Sequence, residues 1–370
     1  MAMSDVQSIT PAAIEDIGTI GELLELGRAS AGPAGVAYAS AGAGEEVTVA
    51  RNREALRRLG FQPRILRDVS RVETTTTVVG LPMAIPILLA PVGALALFDD
   101  RAAAASAAGA ASNGTSAIVG MLAEPGYQDV VRDAGVAPLF QFVPAGDRDW
   151  ILALLNRVES VGCPALCLTV DGPVLSRRDR LIRQRSDHRI GREREPSTLT
   201  GLGRDRAFQG RFTWTGLEWL RSHTSLPLIL KGVMHPDDAR RAVDTGVDAV
   251  YVSNHGGRQL DHAVSTIEVL PSIVAAVGGA VDVLVDGGFC RGSDVVKAIA
   301  LGAKAALLGR MQCWALAAGG ADGVSRLLEL LADEVRITMA LLGCVTLAEL
   351  TPECVRSTFS PPGFDGPTPL

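Results

Sequence analysis

His255 and Arg258 lie three residues apart, with two glycines between them, in the segment SNHGGRQLD at residues 253–261. The apolar run Ala249–Val252 precedes it, so we expect a buried strand that leads into a turn. Glycine permits a tight turn and leaves room for a flat ligand. A proton acceptor beside a fixed cation suits a small substrate that carries an anionic group and loses a proton nearby. The four residues alone are equally compatible with an ordinary turn, so the rest of the chain decides.

Other unusual polar residues fall where predicted strands end, which is where barrel enzymes carry their reactive groups. Lys231 closes the apolar run Leu228–Leu230. A lysine among buried strand residues must meet an anion or a polarisable ring, stay uncharged, or extend to solvent. The strand-end residues are Gln141, Thr169, Asp171, Lys231, Ser253, His255, Asp286 and Arg310. Their common position predicts a functional site at one end of the fold.

Two glycine-rich turns, Asp286-Gly287-Gly288 and Gly309-Arg310, follow the last two predicted strands. In (β/α)8 barrels this is the usual phosphate site, where backbone amides and an arginine hold the dianion. No G-x-G-x-x-G segment opens a strand–helix–strand unit, which argues against a Rossmann-bound nicotinamide. The pattern favours a phosphorylated cofactor in the mouth of a barrel.

Short apolar runs alternate with helical patterns from residue 85 onward. Eight such units indicate a parallel sheet buried on both faces, and they favour an α/β (β/α)8 TIM barrel over an open doubly wound sheet. The predicted strands are Ile85–Ala90, Ala117–Gly120, Pro138–Phe142, Ala165–Asp171, Leu226–Gly232, Ala249–Asn254, Val281–Gly287 and Ala305–Gly309. The predicted helices include Arg101–Ala111, Trp150–Val161, Pro236–Thr245, Thr266–Val277 and Ser293–Leu301.

Residues 1–80 form an N-terminal helical extension ahead of the barrel. The pattern predicts a helix over Pro11–Leu26, a small-residue loop over Gly32–Gly44 that carries Tyr38, and a second helix over Thr48–Leu59. Thr10 is the expected cap of the first helix, with proline at the first helical position.

The connection of residues 172–213 after the fourth strand is abnormally long for a compact domain. Its position at the C-terminal face of the barrel predicts a lid loop. The arginine-rich run Arg177–Arg211 within it favours a solvated lid over a nucleic-acid patch, because the formal net charge of −6 gives no general reason to expect nucleic acid. We expect one domain over residues 1–370.

The composition is that of a globular chain, with 47% hydrophobic and 21% charged residues. The spacing of the six cysteines matches no strong zinc pattern, so we expect free thiols in a reduced compartment and no metal. The N-terminus shows no basic start followed by an apolar run, and three prolines interrupt the apolar segment Leu81–Leu97. We therefore expect a cytoplasmic protein with no membrane span.

The chain resembles the FMN-dependent L-2-hydroxy acid oxidase and dehydrogenase family, which includes glycolate oxidase, lactate oxidase and mandelate dehydrogenase. The resemblance runs from about Tyr38 to Thr358, and the segment at 253–261 is its most specific part. Its other motifs are Asn52-Arg53, Pro63-Arg64, Leu168-Thr169-Val170-Asp171, Lys231-Gly232-Val233, Asp286-Gly287-Gly288, Gly309-Arg310, Met339-Ala340-Leu341 and Gly343-Cys344.

The resemblance implies FMN as cofactor and a role for each matching residue. His255 is implied as the active-site base, Asp171 as the carboxylate that orients it, and Arg258, Arg178 and Tyr38 as the groups that hold a substrate carboxylate. The implied flavin-binding residues are Pro91, Val92, Gly93, Gly120, Gln141, Thr169, Lys231, Ser253, Asp286, Gly287, Gly288, Arg291, Gly309 and Arg310.

The implied reaction oxidises an L-2-hydroxy acid to the 2-oxo acid, with hydride transfer to flavin N5. A carbanion route stays open, as do O2 and another electron acceptor. Alternatives are a flavin monooxygenase that decarboxylates the acid oxidatively, and a non-catalytic flavin-binding relative. The family also implies a homo-oligomer, specifically a tetramer.

Three departures from the family pattern bear on these roles. Val143 stands where the family usually has a tyrosine, which removes a hydrogen-bond donor and widens the pocket. Pro91-Val92-Gly93 stands where the family has Pro-Thr-Ala. The resemblance implies that the last of these residues lies near flavin N5, and because it is alanine or glycine among relatives, Gly93 leaves oxidase, monooxygenase and dehydrogenase activity open. Cys290 stands where an arginine usually meets the phosphate, and Arg291 or Arg310 would have to compensate.

Overall fold

The N-terminal extension is helical and precedes a small hairpin. The structure is a computed structural model that describes residues 14–184, 197–202, 204–205 and 207–358. The extension comprises α1 (Ile20–Ser30), α2 (Pro33–Ser40), α3 (Val47–Arg57), β1 (Leu59–Phe61), β2 (Thr76–Val78) and β3 (Leu81–Met83).

Two of the predictions for this extension were wrong. Helix α1 begins at Ile20, because Thr19 and Glu22 form a capping box in which each side chain accepts a hydrogen bond from the other residue's backbone N–H. The proposed cap Thr10 lies outside the described residues. The predicted loop over Gly32–Gly44 contains helix α2, whose first residue is a proline with a backbone angle preset for a helix.

The predicted (β/α)8 barrel is confirmed. Eight parallel strands pair in the order β4-β11-β10-β9-β8-β7-β6-β5, and a bridge between Leu89 and Ala117 joins the first strand to the second. The strands are β4 (Ile87–Leu89), β5 (Ile118–Gly120), β6 (Leu139–Phe142), β7 (Leu166–Thr169), β8 (Leu228–Val233), β9 (Ala249–Val252), β10 (Asp282–Val285) and β11 (Ala305–Leu308). Each lies within one residue of the predicted run or inside it.

The barrel interior is filled by side chains. Alternate strand residues such as Leu88, Ile229 and Leu284 form a separate buried cluster with Val78 and Met83 of the β2–β3 hairpin. The hairpin therefore packs against one end of the barrel interior, and the cavity described below lies at the C-terminal ends of the strands. This placement is the usual one for barrel enzymes.

Helices surround the barrel. They are α4 (Ala102–Ser112), α5 (Tyr127–Ala134), α6 (Arg148–Glu159), α7 (Asp179–Arg183), α8 (Ala207–Arg211), α9 (Trp214–Arg221), α10 (Pro236–Asp244), α11 (Thr266–Val277), α12 (Gly292–Ala300) and α13 (Arg310–Leu342). Strand β12 (Val355–Ser357) pairs antiparallel with β1. In the described part of the chain, no helix has both the length and the apolar character that a membrane crossing requires. Helices α7 and α8 lie within the predicted lid, whose movement stays a prediction.

Close helix contacts fix α1 against the barrel. Helix α13 kinks at Gly319-Gly320, and its first segment packs against α1. A Cβ atom at Gly27 would overlap the carbonyl oxygen of Trp314, so only glycine permits this approach of the two backbones. Gly21, on the same helix, has no such neighbour: the atom nearest to a Cβ at that position would be the Thr19 hydroxyl oxygen, at 3.8 Å.

We expect Gly27→Ala to lower the free energy of unfolding by about 1–3 kcal/mol, since overpacking forces the helices apart. Gly21→Ala is the matched control and should leave stability unchanged or raise it by up to about 1 kcal/mol through helix propensity. Urea unfolding of the two variants measures both effects. Equal effects of the two substitutions would contradict the proposed backbone contact.

Candidate active site

The turn after β9 holds its histidine in an unusual backbone conformation. His255, Gly256 and Gly257 have φ angles of 56°, 62° and 76°, all in the left-handed region. Glycine adopts this region freely, but histidine does so at a cost that the surroundings must offset. The side chain of Asn254 accepts a hydrogen bond from Gly257 N and caps the turn. The backbone strain is therefore located at His255, the residue of this turn with the most reactive side chain.

Helix α3 of the extension fixes this turn in place. Asn52 and Asn254 exchange two side-chain hydrogen bonds of 2.9 and 2.8 Å. Asp261 accepts hydrogen bonds of 2.9 Å from the backbone N–H groups of Glu45 and Thr48. A Cβ atom at Gly257 would lie 2.7 Å from the backbone nitrogen of Val49. Several polar residues of the motif therefore serve to dock the extension on the turn.

His255, Asp171 and Lys231 form a contiguous charged group at the ends of β7, β8 and β9. His255 Nδ1 lies 2.9 Å from Asp171 Oδ1, and Lys231 Nζ lies 3.6 Å from Asp171 Oδ2. The second distance is too long for a hydrogen bond, and Lys231 Nζ donates to Ser253 Oγ at 3.0 Å instead. Because Asp171 occupies Nδ1, the other imidazole nitrogen, Nε2, is the one left for chemistry.

The surroundings set the charge state of each group. Burial raises the pKa of Asp171, but the charges of His255 and Lys231 outweigh it and bring the pKa down to about 2. Burial lowers the pKa of Lys231, but Asp171 and Asp286 more than offset this, so the ammonium stays charged. Burial is also the largest influence on His255 and holds its pKa below the usual value, although Asp171 opposes it. His255 is therefore a neutral base at neutral pH.

Arg258 directs one nitrogen of its guanidinium to the backbone of the extension. Its Nη1 donates to the carbonyl oxygens of Tyr38 and Ala41 at 2.7 and 2.9 Å, and the guanidinium lies 4.5 Å from the centroid of the Tyr38 ring. Within the described residues, Arg258 Nη2 is buried without a hydrogen-bond partner. Arg178 Nε lies 3.3 Å from the carbonyl oxygen of Arg258, so the two arginines are adjacent.

One cavity of about 440 Å³ brings most of the predicted residues together. The predicted residues that line it are Tyr38, Pro91, Val92, Gly93, Gly120, Gln141, Thr169, Arg178, Lys231, His255, Arg258, Asp286, Gly287, Gly288, Gly309 and Arg310. Asp171 and Ser253 lie behind this wall and contact His255 and Lys231. Arg291 is the exception, because its guanidinium pairs with Glu334 on α13 at 2.5 Å.

The turns after β10 and β11 form the second end of the cavity. Tyr251 donates to Asp286 Oδ2 at 2.8 Å, and Asp286 Oδ1 is buried without a hydrogen-bond partner in the described part of the chain. Gly287 and Gly288 have φ angles of 108° and 86°. A Cβ atom at Gly288 would lie 2.9 Å from the backbone of Asn52, so α3 docks here as well.

Several lining residues were not identified from the sequence. They are chiefly Leu24, Arg28, Met121, Leu122, Val143, Leu175, Arg204, Gln209, Cys290 and Trp314. Of these, Val143 and Cys290 were noted only as departures from the family pattern. Arg28 and Trp314 carried no signal, because they reach the cavity through the packing of α1 on α13.

Comparison with known proteins agrees with this geometry. The family model of FMN-dependent dehydrogenases matches residues 28–357. The chain belongs to the FMN-dependent dehydrogenase family. It is 41% identical over 331 residues to an L-lactate oxidase of Nostoc sp., covering 85% of this chain and 91% of that protein. It is also 41% identical over 319 residues to a 4-hydroxymandelate oxidase of Amycolatopsis orientalis, covering 83% and 89%.

A solved structure of mandelate oxidase with benzoyl-formic acid has the same fold, with a TM-score of 0.81 and 39% identity over 91% of this chain and 97% of the other. The family resemblance predicted from sequence is confirmed, and the cofactor of this flavoenzyme is FMN. The cavity residues fit that cofactor. Asp286 Oδ1, which has no hydrogen-bond partner among the described residues, suits a polyol chain, and the Lys231 ammonium suits an electron-accepting ring. The turn at Gly309 admits a phosphate, because no described atom lies within 4 Å of a Cβ position there.

The electrostatics of His255 predict how its titration responds to loss of Asp171. In Asp171→Asn the nearby negative charge is gone, so the pKa of His255 should fall further below about 6.5 than in the wild type. NMR titration of histidine-labelled protein measures this midpoint, and His255→Asn assigns the resonance. The other four histidines are internal references. An unchanged or higher midpoint in Asp171→Asn would contradict the proposed pairing.

Proposed function

We propose that this flavoenzyme oxidises an L-2-hydroxy acid with a bulky apolar side chain to the 2-oxo acid. The observation that carries the proposal is the pairing of a neutral base with a buried cation. His255 has Nδ1 committed to Asp171, and Arg258 has a buried Nη2 without a hydrogen-bond partner among the described residues, and both side chains line one cavity. A molecule with a hydroxyl next to a carboxylate satisfies both groups at once.

Arg258 and Arg178 bind the carboxylate of the substrate in this proposal. A planar guanidinium recognises a carboxylate through paired hydrogen bonds, which fixes orientation as well as position. The ring of Tyr38 lies against Arg258 and limits its movement. Held in this way, the substrate directs its hydroxyl at His255, which converts binding energy into orientation.

His255 Nε2 accepts the hydroxyl proton of the substrate. Asp171 stabilises the imidazolium that results, because its carboxylate is already ionised and hydrogen-bonded to Nδ1. FMN, when bound, supplies the acceptor for the two electrons that the oxidation releases. Lys231, Gln141, Thr169 and the turn at Asp286 would hold it, and the charge on Lys231 favours added electron density nearby.

The walls of the cavity indicate the class of side chain. Met121, Leu122, Val143 and Leu175 line it, and no acidic residue other than Asp286 does so in the described part of the chain. An apolar wall binds an aliphatic or aromatic group by the hydrophobic effect. A side chain as large as phenyl fits this chemistry better than the methyl group of lactate, and the relative from Amycolatopsis is named for an aromatic hydroxy acid.

The proposal also covers the electron acceptor, the cellular location and the oligomeric state of the enzyme. We infer that O2 is the electron acceptor, because the relatives compared above are named as oxidases. All six cysteines are free, which supports the reducing cytoplasm as its location. A homotetramer follows from the family resemblance alone.

The central experiment is anaerobic reduction of the bound flavin by a panel of L-2-hydroxy acids that runs from glycolate to mandelate. We expect bleaching of the flavin spectrum by the wild type. We expect His255→Asn to bleach about 10²–10⁴ times more slowly, the usual contribution of a general base. His223→Asn, a matched substitution of an exposed histidine, should match the wild type.

Failure of every acid to bleach the flavin would contradict the proposal and favour a non-catalytic relative. Analysis of products under air separates the remaining possibilities. A 2-oxo acid with hydrogen peroxide supports the oxidase, whereas a carboxylic acid shortened by one carbon indicates oxidative decarboxylation. Gly93 makes this product analysis informative, because relatives carry either alanine or glycine at the position. A Cβ atom at Gly93 would lie 3.6 Å from the Leu122 side chain, so the pocket has room for either residue.

Val143 offers a test of side-chain size. We expect Val143→Tyr to lower the ratio of kcat/KM for mandelate to kcat/KM for lactate on the order of tenfold, because the ring fills the apolar wall. Val143→Phe is the control for bulk without the hydroxyl group and should reduce mandelate turnover to a similar extent. An unchanged ratio in both variants would mean that the side chain of the substrate lies elsewhere.

A further inference from the structure

At the phosphate end of the cavity, Cys290 stands where relatives usually carry an arginine. The turns after β10 and β11, the seventh and eighth strands of the barrel, form the usual phosphate site of this fold. Cys290 lines the cavity at this end, and burial raises the pKa of its thiol, so the group is neutral. A phosphate dianion that leaves water needs charged hydrogen-bond donors. Some other residue must supply them.

The two arginines named above as compensating for Cys290 already have other partners. Arg291 pairs with both carboxylate oxygens of Glu334, at 2.5 and 3.1 Å. Arg310 donates to three backbone carbonyls, those of Ala39 at 2.7 Å, Gly256 at 2.8 Å and Ala41 at 3.0 Å. These three bonds tie the extension to the histidine turn, and each nitrogen of the Arg310 guanidinium already donates once.

Arg53 is also committed, because it forms an ion pair with Asp294 and donates to the carbonyl of Gly288 at 3.1 Å. Arg28 is differently placed. It lies in the last turn of α1, lines the cavity, and carries its guanidinium 5.7 Å from the centroid of the Trp314 ring. The charge of Arg28 reaches the thiol of Cys290 together with those of Arg53 and Arg310, and all three work against the rise in pKa that burial causes.

The position of Arg28 depends on its neighbour. Gly27 allows the backbone of α1 to contact the backbone of Trp314, in the second turn of α13. Helix α13 begins at Arg310, directly after Gly309, and its first N–H groups point toward the same end of the cavity. The contact therefore delivers an arginine from outside the barrel to the rim of an anion site formed by a helix N-terminus.

We propose that Arg28 binds the phosphate of FMN and supplies the charge that Cys290 cannot. The extension then contributes to the cofactor site as well as to the substrate site. Arg28 is exposed at the rim, so its contribution should depend on ionic strength.

The test compares two ligands that differ only in the phosphate. Apoprotein, prepared by removing the flavin under mild conditions, is titrated with FMN and with riboflavin, and the quenching of flavin fluorescence gives the dissociation constants. We expect Arg28→Gln to weaken FMN binding about tenfold and to change riboflavin binding less than twofold. The advantage of FMN over riboflavin should also depend less on salt in this variant.

Arg326→Gln is the matched control, because Arg326 holds the start of the extension through the carbonyl of Ile17 at 2.8 Å and does not line the cavity. It should leave the ratio of the two dissociation constants unchanged. Cys290→Arg, introduced into Arg28→Gln, should restore FMN binding to within about twofold of the wild type.

Equal weakening of both ligands in Arg28→Gln would overturn the proposal, since it would mean that α1 acts by packing alone. An unchanged ratio in that variant, or no rescue by Cys290→Arg, would overturn it as well. These outcomes are distinguishable from failure of the proposed reaction, because binding of FMN and riboflavin is measured without any hydroxy acid.

Discussion

The buried carboxylate of Asp171 is the group on which the mouth of the barrel depends. One oxygen accepts from the imidazole of His255, and the other lies 3.6 Å from the ammonium of Lys231. The register of β7 and β8 places Thr169 opposite Lys231, so the residues that follow Thr169 lie over the lysine. Removing one partner of a buried ion pair leaves an uncompensated charge, which is strongly destabilising. The backbone permits this arrangement because Gly232 has no side chain to meet Asp171.

The N-terminal extension completes a site that the barrel strands alone do not form. Helix α3 docks on the turns after β9 and β10 through Asn52. The end of α2 and the residue that follows it supply the carbonyl oxygens of Tyr38 and Ala41, which orient Arg258. Loops that carry reactive groups are commonly held by a rigid scaffold. Here the scaffold has two parts, and the site lies where they meet.

Local sequence was sufficient to predict the barrel strands and the residues at their ends. It was not sufficient to predict contacts between segments that are distant along the chain. Each strand is a short apolar run between glycine, proline or polar residues, and the fold itself determines where the residues at its end point. Helix α2 was missed because its alanines and glycine give no periodic signal, and its stability comes from tertiary burial. Arg291 could not be placed from sequence, because its partner Glu334 comes from a helix distant along the chain. The position of Arg28 at the cavity likewise depends on one long-range contact, the backbone contact between Gly27 and Trp314.

The charges at the mouth do not cancel among themselves. Burial, together with the positive charge of Arg258, lowers the pKa of Arg310 to about 10, so Arg310 stays protonated at neutral pH although it lies close to a second guanidinium. Such an arrangement costs folding free energy through repulsion and through the buried Nη2 of Arg258. An anionic ligand beside them relieves both costs, so its binding stabilises the folded state by mass action. The same unfavourable contacts that reduce the stability of the protein alone therefore raise its affinity for an acid.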